Sequence, residues 1–255
     1  MDRMLNVLAL AASLVALAQP ATAAQFKDRN QCLARAEALP DFAYEEAKLW
    51  EKAGGGTDAK VCQASALLLR GDWKPAAEAI EALAPALAKE PAMVRANLWG
   101  RAGLAWQNAG EPKRAEAAYG KAVEILPDDP QLRLDRAVAL AQQQRWWDVV
   151  ADLDAALAKN PRLAEGYLLR AEAHRKLAQD HDALLDVARA LEAQPENAEA
   201  HLLRGTLKAD KGDLAGARAD WTRARQLGGN GTTAKQATDN LNALDLAEER
   251  AKKRG

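Results

Sequence analysis

The sequence is poor in the residues from which metal centres and catalytic sites are most often built. Its 255 residues include only three histidines and two cysteines. A tetrahedral metal site needs several such ligands at fixed spacing, and nucleophilic catalysis needs a serine or cysteine beside a base. Neither arrangement is recognisable, so the sequence predicts a protein that is not an enzyme and needs no metal or cofactor.

The sequence also lacks an excess of charge of either sign. Its 35 lysines and arginines nearly balance 36 aspartates and glutamates, which leaves a formal net charge of −1. Surfaces that bind nucleic acid are strongly basic. We therefore predict no nucleic-acid partner.

Long apolar runs are missing from the sequence after Ala24. Arg3 is followed by a nearly unbroken apolar run over residues 4–18 and then by small residues up to Ala24. This is the pattern of a signal peptide, and the run is short for a membrane span. We expect cleavage after Ala23 or Ala24, export to the periplasm and no stable membrane insertion afterwards. The alternative is an N-terminal membrane anchor.

The two cysteines, Cys32 and Cys62, favour a structural disulfide, because an even number in an exported chain is typical of one. The alternatives are a redox pair and a metal pair. Their spacing is not C-x-x-C, and no histidine lies nearby. The bond would tie the first helix to the third.

Alanine and leucine are plentiful, and they occur in a repeating pattern. Apolar residues recur at intervals of three and four, which is typical of amphipathic helices, and the breaks between segments predict about thirteen helices and no strand. A 34-residue period indicates stacked helical units that bury one another's apolar faces. The columns that carry this period are Pro127, Pro161 and Pro195; Gly103, Ala137, Ala171 and Gly205; Ala115, Val149, Ala183 and Ala217; and Ala122, Ala156, Ala190 and Ala224.

Residues 96–129 resemble the tetratricopeptide-repeat (TPR) consensus. The resemblance implies an all-α, right-handed solenoid of helical hairpins whose first helices line a concave face for a protein or peptide partner. The matching residues are Trp99, Gly103, Trp106, Gly110, Ala115, Tyr119, Ala122 and Pro127.

The repeats and the breaks divide the chain. After the signal peptide (1–24) we expect an N-terminal helical hairpin (25–56), a degenerate TPR (57–91), four TPR units within 92–231 (96–129, 130–163, 164–197 and 198–231) and a C-terminal capping helix (232–255). The hairpin should cover the first repeat with Phe42, Tyr44 and Trp50. The capping helix should use Leu241, Leu244 and Leu246 as its inner face.

The TPR pattern places a set of polar and apolar side chains on the concave face, where leucines indicate an amphipathic helix or an extended apolar segment as the ligand. The alternatives are a solvated groove and one occupied by the chain's own C-terminal helix. The expected groove residues are Asn97, Arg101, Leu104, Gln131, Leu134, Asp135, Val138, Glu165, Leu168, Glu172, Arg175, Leu202 and Thr206.

One TPR subfamily holds the C-terminal carboxylate of chaperones with lysine, asparagine and arginine side chains. The corresponding positions here are Gly100, Leu104, Asp135, Glu165 and Leu169. These residues cannot form that clamp, so no carboxylate-tail ligand is predicted.

A ladder of charged residues recurs at the same period, and we interpret it as interhelical ion pairs that stabilise the fold. The partner of each arginine could be the next aspartate of the ladder or the preceding one. The alternative is that the arginines bind an anionic ligand. The ladder comprises Arg136, Arg170 and Arg204 with Asp152, Asp186 and Asp220.

Trp147 matches no apolar column and follows Trp146 directly. It either caps the turn between two helices or forms an exposed anchor for a partner.

These features together predict a protein–protein interaction scaffold or adaptor in the periplasm, active in cell-envelope assembly or maturation. The alternative is an accessory subunit or chaperone of a secreted enzyme, and a small-ligand-binding or catalytic protein is the least favoured class. The sequence does not identify the partner.

Overall fold

The computed structural model describes residues 26–253, and within this range the chain is helical without a strand. The predicted signal peptide lies outside the described residues. None of the described helices is long and apolar enough to cross a membrane.

The thirteen helices of the described range follow one another with short connections. A π-helical segment, Glu51–Gly55, lies between α2 and α3. The helices are α1 (Arg29–Ala38), α2 (Pro40–Trp50), α3 (Gly56–Arg70), α4 (Trp73–Leu83), α5 (Ala92–Asn108), α6 (Pro112–Ile125), α7 (Pro130–Gln142), α8 (Trp146–Lys159), α9 (Ala164–Lys176), α10 (Asp180–Ala193), α11 (Ala198–Asp210), α12 (Leu214–Leu227) and α13 (Thr232–Lys252).

The helix boundaries follow from local chemistry. Proline occupies the first turn of α6 and α7, where its missing N–H costs no helical hydrogen bond. The Asp129 carboxylate caps α7 by accepting from the backbone N–H groups of Gln131 and Leu132, and Asn197 caps α11 through the N–H of Ala200. These side chains satisfy donors that a helix start leaves free.

Consecutive helices pack as hairpins, and the hairpins stack. Helices α5 and α6, α7 and α8, α9 and α10, and α11 and α12 form the four regular pairs. The first helices α5, α7, α9 and α11 also contact one another in succession, and α11 contacts α13. These extra contacts make the first helices the inner layer of a curved helical solenoid.

Within each hairpin, a small residue on the first helix lies where a larger residue on the second helix needs room. A Cβ added at Gly103 would lie 2.7 Å from the Tyr119 ring, and one at Gly205 would lie 2.6 Å from the Trp221 ring. The two middle hairpins have alanine at the corresponding positions, opposite Leu153 and Val187. Glycine thus occurs opposite an aromatic ring and alanine opposite an aliphatic side chain.

The N-terminal helices are held to the array by Cys32 and Cys62, which form a disulfide with a Cα–Cα distance of 5.9 Å. The bond joins α1 to α3, and Phe26 and Trp50 pack around it. The expectation for Phe42 was wrong, because its side chain is 62% exposed. The buried face of α2 carries Ala43 instead, and the preceding residue points about 100° away on a helix.

Helix α13 packs against α12 through an apolar stripe that includes Ala237, Leu241 and Leu244. Leu246 was expected on this inner face but is 54% exposed. It follows Leu244 by two residues, which places it about 200° around the helix. The predicted inner face of α13 was therefore wrong at this residue.

Candidate protein-binding groove

The inner layer of helices encloses an open cavity of about 1250 Å³. Its walls come from α7, α9, α11 and α13, together with the turn between α10 and α11. Ten of the thirteen residues expected on the concave face line it: Gln131, Leu134, Asp135, Val138, Glu165, Leu168, Glu172, Arg175, Leu202 and Thr206.

A smaller cavity of about 470 Å³ continues this surface towards α5. It is lined by the three remaining expected residues, Asn97, Arg101 and Leu104. The two cavities share Gln131, Asp135 and Val138. We refer to this continuous surface, formed by both cavities, as the groove.

The apolar residues of the groove differ in depth. Leu134 and Leu168 are only 4% and 9% exposed, so they lie at its base and belong to the core. Leu104 is 46% exposed, and Val138 and Leu202 are half-buried. A ligand would touch these three side chains, whereas substitutions at Leu134 or Leu168 would disturb the core.

Sequence reasoning missed the end of the groove. Thr233, Gln236 and Asp239 of α13 line the larger cavity, as do Gln194 and Glu196 from the turn before α11. The sequence of α13 carried a signal for this wall, because the helix has a polar face opposite its apolar stripe. Helix α13 therefore forms an end wall and does not fill the groove.

The walls of the larger cavity carry six carboxylates and one cation among the described residues. The cation, Arg175, donates two hydrogen bonds of 2.8 Å to Glu172. Glu196 lies 3.3 Å from Arg223. The other four carboxylates have no cation within 4.0 Å in residues 26–253: Asp135, Glu165, Glu199 and Asp239.

Asp135 lies where the two cavities meet. Burial raises the pKa of its carboxyl, and the nearby charges of Asp129 and Glu165 raise it further. A hydrogen bond of 2.9 Å from the Gln131 amide acts in the opposite direction and is outweighed. Burial also raises the pKa of Tyr119 beneath it, with a smaller contribution from Asp135. The centre of the groove thus disfavours negative charge on Asp135. A bound cation there would stabilise the ionised carboxylate.

The charged ladder lies between the two helices of the second, third and fourth regular hairpins. Each arginine donates hydrogen bonds from Nε and Nη2 to the next aspartate of the ladder. The Nε–Oδ2 distances are 2.7, 2.8 and 2.9 Å in the first, second and third pair. The three aspartates are at most 5% exposed. The pairs are Arg136 with Asp152, Arg170 with Asp186, and Arg204 with Asp220.

Two further side chains lie close to the last of these aspartates. Lys208 Nζ lies 2.8 Å from Asp220, and His201 Nδ1 lies 3.4 Å away. Burial raises the pKa of Asp220, but hydrogen bonds from Arg204 and Lys208 outweigh it and hold the pKa below its ordinary value. Because each ladder arginine already donates two hydrogen bonds to its aspartate, its guanidinium has little capacity left to bind an external anion.

Trp147 is 64% exposed at the start of α8. It is not among the residues that line the groove, whereas its neighbour Trp146 packs against the core of the second hairpin. Among residues 26–253, no group of three His, Cys, Asp or Glu side chains could hold a metal ion.

No protein-family model matches this chain. Part of it is similar to the mitochondrial import receptor subunit TOM70 of Homo sapiens and of Mus musculus, with 32% identity over 84 residues in each case. The match covers 31% of this chain but only 14% of the relative's length. It therefore concerns a small part of the receptor.

Solved structures with the same arrangement of helices include MamA from Desulfovibrio magneticus RS-1, with a TM-score of 0.58, 20% identity, and coverage of 71% of this chain and 94% of that one. The TPR protein YrrB has a TM-score of 0.57 and 17% identity over 75% of this chain and 96% of its own. The APC/C hetero-tetramer Cut9–Hcn1 has a TM-score of 0.61 and 15% identity over 85% of this chain and 42% of that one. Together with the stacked hairpins, these likenesses show that the chain has the tetratricopeptide-repeat fold.

Proposed function

We propose that this protein is a non-enzymatic adaptor that holds a segment of another protein in the groove. One observation carries the proposal: successive first helices line one open cavity of about 1250 Å³. Pockets for small molecules are typically about 300–1,000 Å³ and enclose most of their ligand. A groove that is larger, open and continuous with a second cavity suits a polypeptide segment better.

The comparisons support a polypeptide ligand. YrrB is a TPR protein with a peptide-binding site, and TOM70 is a receptor subunit for mitochondrial import. One name describes peptide binding and the other a receptor, and neither describes an enzyme.

We place the adaptor in the periplasm, where it would act in cell-envelope assembly or maturation. The signal-like pattern of residues 1–24 supports export. The disulfide between Cys32 and Cys62 suits an oxidising compartment. Expression of the full chain in a bacterium, followed by N-terminal sequencing of the periplasmic fraction, tests this placement. A chain that begins at Ala24 or Gln25 is expected, and an uncleaved chain in the cytoplasm would contradict it.

The groove itself is tested by selecting binders from a random peptide display library and then blocking the cavity. Thr206 lines the groove, and its hydroxyl donates to the carbonyl of Leu202 at 3.1 Å. Thr238 makes the same type of bond to Ala234 at 2.8 Å but does not line the groove. Thr206→Trp therefore blocks the cavity, and Thr238→Trp is the matched control.

We expect the selected peptides to lose at least tenfold in affinity for Thr206→Trp and to keep their affinity for Thr238→Trp. Circular dichroism should show that both variants fold. The proposal would be overturned if no peptide were selected, or if both variants bound as the parent protein does.

A further inference from the structure

The groove is far more acidic than the protein that contains it. The whole chain carries a formal net charge of only −1. The larger cavity nevertheless presents six carboxylates against a single arginine among the described residues. The acidity of the groove is therefore local and does not reflect an acidic chain.

Many carboxylates outside the larger cavity have a cation partner within 4.0 Å. Arg145 lies 2.7 Å from Glu116, and Arg218 lies 2.5 Å from Asp245 and 2.9 Å from Glu248. Within the larger cavity, Asp135, Glu165, Glu199 and Asp239, four of its six carboxylates, have no described cation within 4.0 Å. The larger cavity thus gathers four carboxylates whose negative charge no described cation compensates.

On three of the four first helices, an acidic residue precedes an accessible apolar residue on the same face. On α7, Asp135 precedes Val138 by three residues. On α9, Glu165 precedes Leu169 by four, and on α11, Glu199 precedes Leu202 by three. All of them line the same cavity. Residues three or four apart share one face of a helix, so each helix presents a carboxylate next to an apolar contact.

We propose that the occupant of the groove is a basic amphipathic segment of another protein, in which lysines or arginines alternate with large apolar side chains. This inference rests on the proposed function and specifies its ligand. The segment's cations would face the four uncompensated carboxylates, and its apolar side chains would cover Val138, Leu169 and Leu202. Complementary charge of this kind selects the partner and speeds association.

The two ends of the groove differ in charge, and this difference sets the direction in which the bound basic segment runs. Arg101 occupies on α5 the repeat position that Asp135 occupies on α7. The smaller cavity therefore begins with a cation, whereas α7, α9, α11 and α13 supply carboxylates. The most basic part of the segment belongs against the α9–α13 end.

Three synthetic 18-residue peptides test this inference by fluorescence anisotropy. The first consists of leucine and lysine arranged with helical period. The second has glutamate in place of every lysine, and the third has serine in place of every leucine. The protein variants are the triple substitution Asp135→Asn, Glu165→Gln and Glu199→Gln, and a matched triple outside the groove, Glu37→Gln, Asp182→Asn and Glu249→Gln, at exposed positions.

We expect saturable binding of the leucine–lysine peptide, with at least tenfold weaker binding of each of the other two. The groove triple should bind the leucine–lysine peptide at least tenfold more weakly at low salt, and the control triple should bind it as the parent protein does. Equal loss in the two triples would show a non-specific charge effect and would overturn the inference.

The peptide display selection separates this inference from the proposed function. If neutral or acidic peptides are selected and are blocked by Thr206→Trp, the groove binds polypeptides but the basic ligand is wrong. If neither the selection nor the leucine–lysine peptide gives binding, both proposals fail.

Discussion

At the scale of single residues, each hairpin depends on a match in size between two side chains that face one another. Gly103 faces the Tyr119 ring, and the next hairpin uses Ala137 with Leu153. Interiors are packed at nearly crystalline density, so a change at one member of a pair changes what the other can be. Stability should therefore depend on the pair and not on either residue alone.

Gly103→Ala should lower the free energy of unfolding by about 1–3 kcal/mol, because overpacking of a dense core has this cost. Adding Tyr119→Leu should recover part of the loss, since it recreates the alanine–leucine pair of the next hairpin. Chemical denaturation of the two single variants and the double variant measures the coupling. Additive effects of the two changes would contradict this account of the packing.

The ion pairs allow a second residue-scale prediction. The first hairpin has Ala102 and Ala118 where the second has Arg136 and Asp152, and both alanines are buried. Arg136→Ala should cost about 3 kcal/mol, because among the described residues it leaves the buried Asp152 with Arg133, at 3.5 Å, as its one remaining cation.

The double variant Arg136→Ala/Asp152→Ala should be more stable than Arg136→Ala, since it installs the alanine pair that the first hairpin already has. Thermal and urea unfolding of these variants decide the question. A double variant less stable than Arg136→Ala would show that the aspartate stabilises the hairpin without its arginine.

Asp135 gives a pH-dependent prediction. Its pKa is raised by burial, so its protonation contributes stability that is fully present below the unfolded pKa and is lost as the pH rises through the folded pKa. Asp135→Asn should therefore raise the melting temperature at about pH 7 and leave it nearly unchanged at about pH 3, near or below the ordinary aspartate pKa. Asp182→Asn, on the exposed face of α10, is the control. An equal effect of Asp135→Asn at both pH values would contradict the assignment.

At the scale of helices and turns, the repeat period extends to the backbone. The turn between the helices of each regular hairpin has a residue with positive φ at the same position: Gly110 (75°), Gln144 (59°), Ala178 (58°) and Gly212 (82°). Only glycine adopts this conformation without strain. The second and third hairpins are therefore strained where the first and fourth are not.

Ala178→Gly should stabilise the protein by about 0.5–1 kcal/mol, because removal of the left-handed strain outweighs the added freedom of the unfolded chain. Ala188→Gly, at an exposed position inside α10, should instead destabilise it by about 1 kcal/mol. Urea denaturation compares the two substitutions. Destabilisation by Ala178→Gly would show that the turn is not strained.

The sequence could predict the helices and their stacking, because the apolar period, the prolines and the caps are local signals. It could not decide which aspartate pairs with Arg136, since that depends on how the two helices of a hairpin are rotated. It also misjudged Phe42 and Leu246, whose orientation depends on which face of α2 or α13 meets its neighbour. The lining of the groove by α13 required the same long-range information.

At the scale of the whole molecule, curvature turns separate helices into one binding surface. The groove exists because the first helices contact one another on the inner side and α13 closes the end. Its charge is a property of this assembly as well, since Asp135, Glu165 and Glu199 come from three different hairpins. The solenoid therefore concentrates carboxylates that lie far apart in the sequence.

The most direct test of the account is site-specific photo-cross-linking to the tightest peptide from the display selection. A photoreactive residue is placed at Gln131 or Gln236, which line the groove, and at Ala188 or Arg225, which are exposed on second helices outside it. We predict cross-links from the first two positions and none from the other two. Cross-links that form equally well from Ala188 and Arg225, or only from them, would contradict the assignment of the inner face as the binding surface.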